Sequence, residues 1–350
     1  MQGFYTRQAQ GRWVATNGAW AYKIVPKRID VRGRPHLLRL SLPAAVLAIA
    51  IAAACRQPEA PAVRRTVRLT TGTPGAAFYP LSQELARAWA AASPGLDVQT
   101  RASAGSVANV EAIQAGDADV GLAFADVAYT AYVARLAKRA PEADSLRGIA
   151  VLELAPVHLV VGRDSAIRSA ADLRGRRVAV GPSGSGSAVT AQIVLAALGI
   201  DLKDVQVESL RYNEAAGRLK AGTIDALFVT GRDPVEAVRD AVGAGARLLP
   251  LAGPAIERLR HEYPFYRQTL IPGGTYPGHP DPLDTIGVDN LLVCRRGLDE
   301  ALVHNLTAQF FAVLPSLPML SFMDLDQAPA TPIPLHEGAA RYYRELELSK

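Results

Sequence analysis

The sequence predicts an α/β protein built on largely parallel sheet, and three observations carry that prediction. Strand-like and helix-like segments alternate from Thr66 onward, the order that βαβ units impose. The junctions between them are short and rich in Gly, Ser and Thr. At 49% hydrophobic residues over 350 positions, the chain can fill one large core or two domain cores. Taken in order, VRLTTG reads as a strand and YPLSQELARAWAAA as a helix with apolar residues at helical spacing. LDVQTRAS with VANVEAIQAG, then ADVGLAFA with VAYTAYVARLAKR, repeat the arrangement. LRGIAVLEL and VHLVVGR read as two further strands, followed by RVAVG and the helical AVTAQIVLAALG. VQVESLR, EAAGRLKAG, DALFVTG and PVEAVRDAVG continue the alternation, with no internal repeat of 20–50 residues.

The N-terminal 54 residues stand apart. They hold eight Lys/Arg against one Asp, whereas the rest of the chain holds 30 Lys/Arg against 32 Asp/Glu. The overall charge of +5 therefore belongs to this segment, and the body is not expected to bind nucleic acid. Lys23, Lys27, Arg28, Arg32, Arg34 and Arg39 precede LSLPAAVLAIAIAAA, an uncharged stretch shorter than the ~20 residues of a membrane-spanning helix. A basic flank, a short apolar core and small residues before a cut are the parts of a secretory signal, so residues 1–55 read as a basic segment plus signal. The ending IAAAC also resembles a bacterial lipoprotein signal, with Cys55 the lipidated residue, although a larger aliphatic residue is usual where Ala52 stands; the alternative is plain cleavage or an uncleaved anchor. Residues 56–65 are a Pro/Ala-rich tether, and a translation start near Val31 is expected. The other cysteine, Cys294 in LLVCRR, reads as a buried strand residue and excludes a disulfide framework in the mature chain.

GPSGSGSAVTAQ, from Gly181, gathers seven Gly, Pro and Ser residues at a strand-to-helix junction, and TTGTPGAAFYP, RASAGSVAN, FADVAY and FVTGRDP occupy equivalent places. In open α/β sheets ligands bind beyond the carboxyl ends of strands. Glycine admits close approach to the backbone there, and helix N-termini favour anions. Several such junctions in one chain point to a carboxylate-type ligand held by backbone and hydroxyl groups.

Enzyme signatures fail at the same loops. A phosphate loop needs Lys before Ser/Thr, but Ser187-Ala188 follows Gly186. A dinucleotide fingerprint from Gly184 needs glycine where Val189 stands, and a nucleophile elbow around Ser183 needs glycine where Ser185 stands. The six histidines, at 36, 158, 261, 279, 304 and 336, never pair at metal-ligand spacing. His158, within VHLVV, reads as a core or cleft histidine. No catalytic set, metal site or cofactor is expected.

LTTGTPGAAFYPLSQELA, RASAGSVANVEAIQAGDADVGLAFADVAY, PVHLVVGRDSAIRSAADLRGRRVAVGPSGSGSAVTA, EYPFYRQTLIPGGTYPGHPDPLDTIGVDNLLV and PIPLHEGAARYYRE together resemble the TAXI family of extracytoplasmic solute receptors of TRAP transporters. The resemblance spans about Thr66 to Glu345. It implies a two-lobed periplasmic-binding-protein fold of the second type, with a ligand cleft between α/β lobes joined by crossing strands. Lobe one is expected at 66–157, lobe two at 158–244, and a lobe-one return with C-terminal helices at 245–350. The implied activity is capture of a small organic acid or amino acid by lobe closure, then delivery to membrane subunits driven by an ion gradient, without chemistry.

Carried onto matching positions, the resemblance implies that Gly72, Thr73 and Tyr79 line the cleft from the first loop. Ala104, Gly105 and Ser106 offer a helix N-terminus, and Phe124, Asp126 and Tyr129 come from the third junction. Ser183, Gly184, Ser185, Gly186 and Ser187 close from lobe two, with Thr230 nearby. Tyr79 and Tyr129 either stack on ligand or pack against lobe one; Asp126 either caps its helix, meets an amino group, or both. Arg101 and Arg211 are positional candidates for a carboxylate partner, or plain surface residues. Two departures matter: Pro74 and Ala76-Ala77 stiffen a first loop that the family makes richer in glycine, and Phe124 stands where the family has glutamine. The second predicts a ligand with a more apolar portion. Two alternatives share the scaffold: a sensor module with a different output, and an enzyme.

Overall fold

The computed structural model describes residues 11–16, 19–24, 65–72, 78–138 and 146–348. The expected signal, Cys55, the tether up to 64, Thr73, Pro74 and Ala76-Ala77 lie outside them. The chain divides into Met1–Pro61 and Ala62–Lys350. In the first unit β1 (Gly11–Thr16) and β2 (Ala19–Ile24) pair antiparallel, with Thr16 opposite Ala19.

The body, Ala62–Lys350, is a mixed α/β fold on one ten-stranded sheet. β3 (Arg65–Thr70) pairs in parallel with β4 (Leu96–Arg101) and β5 (Val120–Phe124), between which run α1 (Phe78–Ala92) and α2 (Ser106–Ala115). All five residues of β5 are buried, as befits a strand covered on both faces. α3 (Ala125–Ala137) follows. Then comes β6 (Leu146–Val161), sixteen residues long. The two strands expected at LRGIAVLEL and VHLVVGR are one, continuous through Pro156, whose carbonyl accepts from the Gly231 N–H.

Beyond β6 come β7 (Arg177–Ala179), α4 (Gly186–Ala197), β8 (Gln206–Glu208), α5 (Tyr212–Lys220), β9 (Ala226–Thr230) and α6 (Glu236–Gly243). β10 (Arg247–Leu249), α7 (Pro254–Glu262), β11 (Tyr266–Ile271) and the thirteen-residue β12 (Leu283–Arg295) follow, then α8 (Glu300–Val313) and α9 (Glu337–Leu348).

β6 and β12 run antiparallel and cross between two lobes. The first half of β6 and the second half of β12 complete the β3–β5 sheet, because Leu291 to Cys294 pair with both β5 and β6. The second half of β6, Val157–Val161, instead lies between β9 and β10. These ladders move the return crossing from 245 to β12: β10 is hydrogen-bonded to the lobe-two half of β6, and β11 to residues 283–288. α8 and α9 close lobe one, where the Trp89 indole donates to the Leu306 carbonyl at 3.1 Å and Tyr343 to that of Ile149 at 2.9 Å.

Each lobe has its own core, around Leu69, Trp89 and Phe310 in one and Leu227, Val238 and Tyr276 in the other. A third cluster joins Ile113 and Ala128 of lobe one to Val194, Phe228 and Leu259 of lobe two. The lobes are therefore in apolar contact, in a closed arrangement. No described helix is long and apolar enough to cross a membrane.

Candidate functional site

A cavity of about 320 Å³ lies where the lobes meet beside the crossing strands. At about 30 Å³ per water-sized group it holds roughly ten non-hydrogen atoms.

Lobe one supplies Gly72, Phe78, Ala104–Ser106 and Phe124. The 103–106 loop is fixed from below: buried Asn109 donates to the carbonyls of Thr71 (2.8 Å) and Leu122 (2.7 Å) while accepting from Ser103 Oγ (2.6 Å). Gly105 then starts α2 at φ +124°, backbone that a side chain would strain. Ser106 Oγ accepts from the Phe124 N–H at 3.1 Å, which ties this loop to the end of β5. Phe124 meets Phe78 edge-on, ring centres 5.6 Å apart.

Lobe two supplies Pro182, Ser185–Ser187, Tyr212 and the turn from Val229 to Glu236. Ser185 caps α4, its Oγ accepting from the Ala188 N–H at 3.3 Å. Ser187 Oγ accepts from the Thr230 N–H (3.1 Å) and lies 2.7 Å from the Tyr212 hydroxyl, whose pKa burial raises.

Nine of the expected residues thus line the cavity: Gly72, Ala104, Gly105, Ser106, Phe124, Ser185, Gly186, Ser187 and Thr230. Five do not. Tyr79 is one helical position past Phe78, about 100° around α1, so Phe78 faces the cavity in its place. Ser183 is exposed at the loop tip. The carbonyl of Gly184 accepts from the N–H groups of Val107 (3.2 Å) and Ala108 (3.4 Å), so lobe two itself occupies the helix N-terminus expected to receive a carboxylate. Tyr129 packs on Tyr263 and Phe265, with ring centres 6.2 and 5.5 Å away. Asp126 is fully buried and accepts from Thr190 Oγ1 (2.6 Å), the Tyr266 hydroxyl (2.8 Å) and the Val127 N–H (2.7 Å). It is neither an N-cap, a place taken by Phe124, nor a cavity group; it bolts α3 of lobe one to α4 and β11 of lobe two. Desolvation pushes its pKa up in spite of those donors.

The charged groups of the cavity are Glu153, Arg232 and Glu236, none of them anticipated. Arg101 and Arg211 are both exposed and outside it. Arg232 Nη1 lies 3.5 Å from Glu153 Oε2 and also donates to the Met319 carbonyl, with its guanidinium 5.2 Å from the Phe322 ring. Burial pushes the Glu153 pKa up to about 7, against the pull of Arg232. Glu153 sits mid-strand, where alternation predicts only a face and not a ligand. Two buried polar atoms on the wall lack a partner, Thr230 Oγ1 and Asn290 Oδ1. Unmade hydrogen bonds of this kind cost about 1–3 kcal/mol each.

His158 is wholly buried behind the 231–236 turn, its Nε2 2.5 Å from Asp233 Oδ1 and 3.0 Å from the Tyr276 hydroxyl. It supports the turn that carries Arg232. Among the described residues no group of three or more His, Cys, Asp and Glu is gathered as for a metal ion.

The model of the NMT1-like family matches residues 69–346, which takes in both lobes, both crossing strands and the cavity. The chain belongs to the NMT1-like family. Among solved structures, XAC2383 from Xanthomonas citri bound to ATP is similar at 14% identity and TM-score 0.50, over 81% of this chain and 96% of that one. An ancestral arginine-binding protein bound to arginine is similar at 17% identity and TM-score 0.47, over 81% and 98%. The alkanesulfonate-binding protein SsuA from Xanthomonas axonopodis pv. citri bound to MOPS is similar at 19% identity and TM-score 0.46, over 80% and 83%. At 14% identity the likeness to XAC2383 is one of fold alone; the two lobes of this NMT1-like chain are those set out by its own crossing strands.

Proposed function

We propose that this NMT1-like protein is an extracytoplasmic solute receptor of the TAXI type, which captures a small solute by closing its lobes and hands it to TRAP membrane subunits. One observation carries the reading. A cavity of solute size is walled by both lobes at the strand crossing, and its wall holds buried polar atoms that the protein leaves without partners. Closure around a solute would supply those partners, whereas opening would return them to water. The rings of Phe78, Phe124 and Tyr212 favour an apolar portion in the solute, as expected from Phe124. With the N-terminus of α2 occupied by Gly184, a carboxylate on the solute would be met by Arg232. Export through the basic N-terminal segment, with lipidation at Cys55, would place the receptor beside its membrane partner.

A thermal-shift screen against small carboxylates, amino acids, aromatic acids and aromatic amines, followed by calorimetry, tests the reading. A solute at 100 times its Kd should stabilise the folded form by about 2.7 kcal/mol, and Ser187→Ala should weaken the hit. A well-folded, ligand-free preparation that binds no member of any class would overturn it.

A further inference from the structure

We infer that the solute's charged anchor is a protonated amine, seated by Glu153 and Asn290 at the strand crossing. The inference rests on the receptor reading and deepens it.

The β6/β12 ladder carries an irregularity at this point: Asp289 pairs with Leu154 and Leu291 with Val151, so Asn290 opposes Leu152 and Glu153 together. Bulges of this kind re-aim side chains, and here they bring two acceptors to one cavity wall. Asn290 is 5% exposed, and its Oδ1 has no hydrogen-bond partner. The Glu153 side chain is 11% exposed, and its ion pair with Arg232 is long, at 3.5 Å. Arg232 is meanwhile engaged by the Met319 carbonyl and the Phe322 ring. Glu236, on the first turn of α6, adds a second carboxylate to the lining, so among the described residues acidic groups outnumber arginine there. Two acceptors side by side, one of them a carboxylate, call for a group that carries positive charge and more than one N–H. An ammonium on a short apolar body satisfies them and leaves its carbon atoms against Phe78 and Phe124.

The groups facing Glu153 fix the sign of the pH response. Arg232 from the β9–α6 turn pairs with Glu153, Glu236 from α6 shares the cavity, and Tyr212 from α5 is held neutral because burial raises its pKa. Glu153 titrates near 7. An ammonium requires the ionised carboxylate, so its affinity rises as pH climbs through about 7. A carboxylate-anchored solute would respond in the opposite sense, because protonating Glu153 removes a repulsion.

Calorimetry on the purified full chain with phenethylamine and with 3-phenylpropionate, each at pH 6 and pH 8, decides the matter. The amine should bind more tightly at pH 8, and Glu153→Gln should weaken it by about tenfold to 100-fold and flatten the pH response, as expected for loss of a hydrogen bond to a charged group. Asn290→Leu, which preserves size, should weaken it without removing the pH response. Binding of the propionate but not the amine, or amine binding indifferent to Glu153→Gln, would overturn the anchor while leaving the receptor reading standing. Failure of both probes in a chain that binds another solute would overturn it likewise, and failure of every solute would remove the receptor reading with it.

Discussion

Asp126 and Glu153 are both carboxylates buried where the lobes meet, and burial raises the pKa of each. Their surroundings differ. Asp126 receives three hydrogen bonds, two of them from lobe-two hydroxyls, and touches no cavity. Glu153 has a stretched ion pair and opens onto the cavity beside Asn290, whose Oδ1 has no partner. A saturated buried carboxylate holds the lobes together, whereas an under-satisfied one waits for a ligand. The same contrast separates Gly184, whose carbonyl is spent on α2, from its neighbours Ser185–Ser187, which face the cavity.

Removing the saturated partner should produce the largest effect. Asp126→Ala leaves the Thr190 and Tyr266 hydroxyls buried without their acceptor, and should cost about 3 kcal/mol or more in urea unfolding. A loss under about 1 kcal/mol would show that the bolt contributes little. Glycine 186 probes closure directly. A Cβ there would collide with the Phe124 ring and, at 2.6 Å, with Ser106 Oγ, both in the opposite lobe. Gly186→Ala should therefore favour an opened form, seen as a larger radius of gyration in solution scattering, and should weaken solute binding by about tenfold to 100-fold, the equivalent of ~1–3 kcal/mol of overpacking. Unchanged scattering and affinity would mean that the two walls are not pressed together. Phe124→Gln is the mildest change. It loses an edge-to-face ring pair worth about 0.5–1.5 kcal/mol, so affinity for solutes with an apolar body should fall severalfold in calorimetry. A ligand profile untouched by the change would remove Phe124 from the recognition surface.

Much of this was legible in the chain itself. The repetition of small-residue junctions pointed to the loops, and the family resemblance named Gly72, Ala104–Ser106, Ser185–Ser187 and Thr230 within them; any one such loop could equally have been a plain turn. The misplacements have particular causes. Tyr79 and Phe78 are neighbours in sequence, and the face they present depends on where α1 begins. Asp126 and Tyr129 sit at the right junction, but their partners, Thr190, Tyr263, Phe265 and Tyr266, lie 60 or more residues away, and local pattern says nothing of them. Glu153 and Asn290 gave no signal at all, because each lies inside an apolar strand and meets the other through a ladder irregularity between strands more than a hundred residues apart.

The sequence by itself determined the α/β alternation, the polarity of the N-terminal segment and the set of loops that edge the cavity, since these depend on neighbours within a few residues. Tertiary structure decided which loop residues face inward, where the chain crosses back between lobes, and which carboxylate is bolt and which is site. Those outcomes turn on hydrogen bonds between segments far apart in sequence, and a buried polar group takes its role from the partners that folding brings to it.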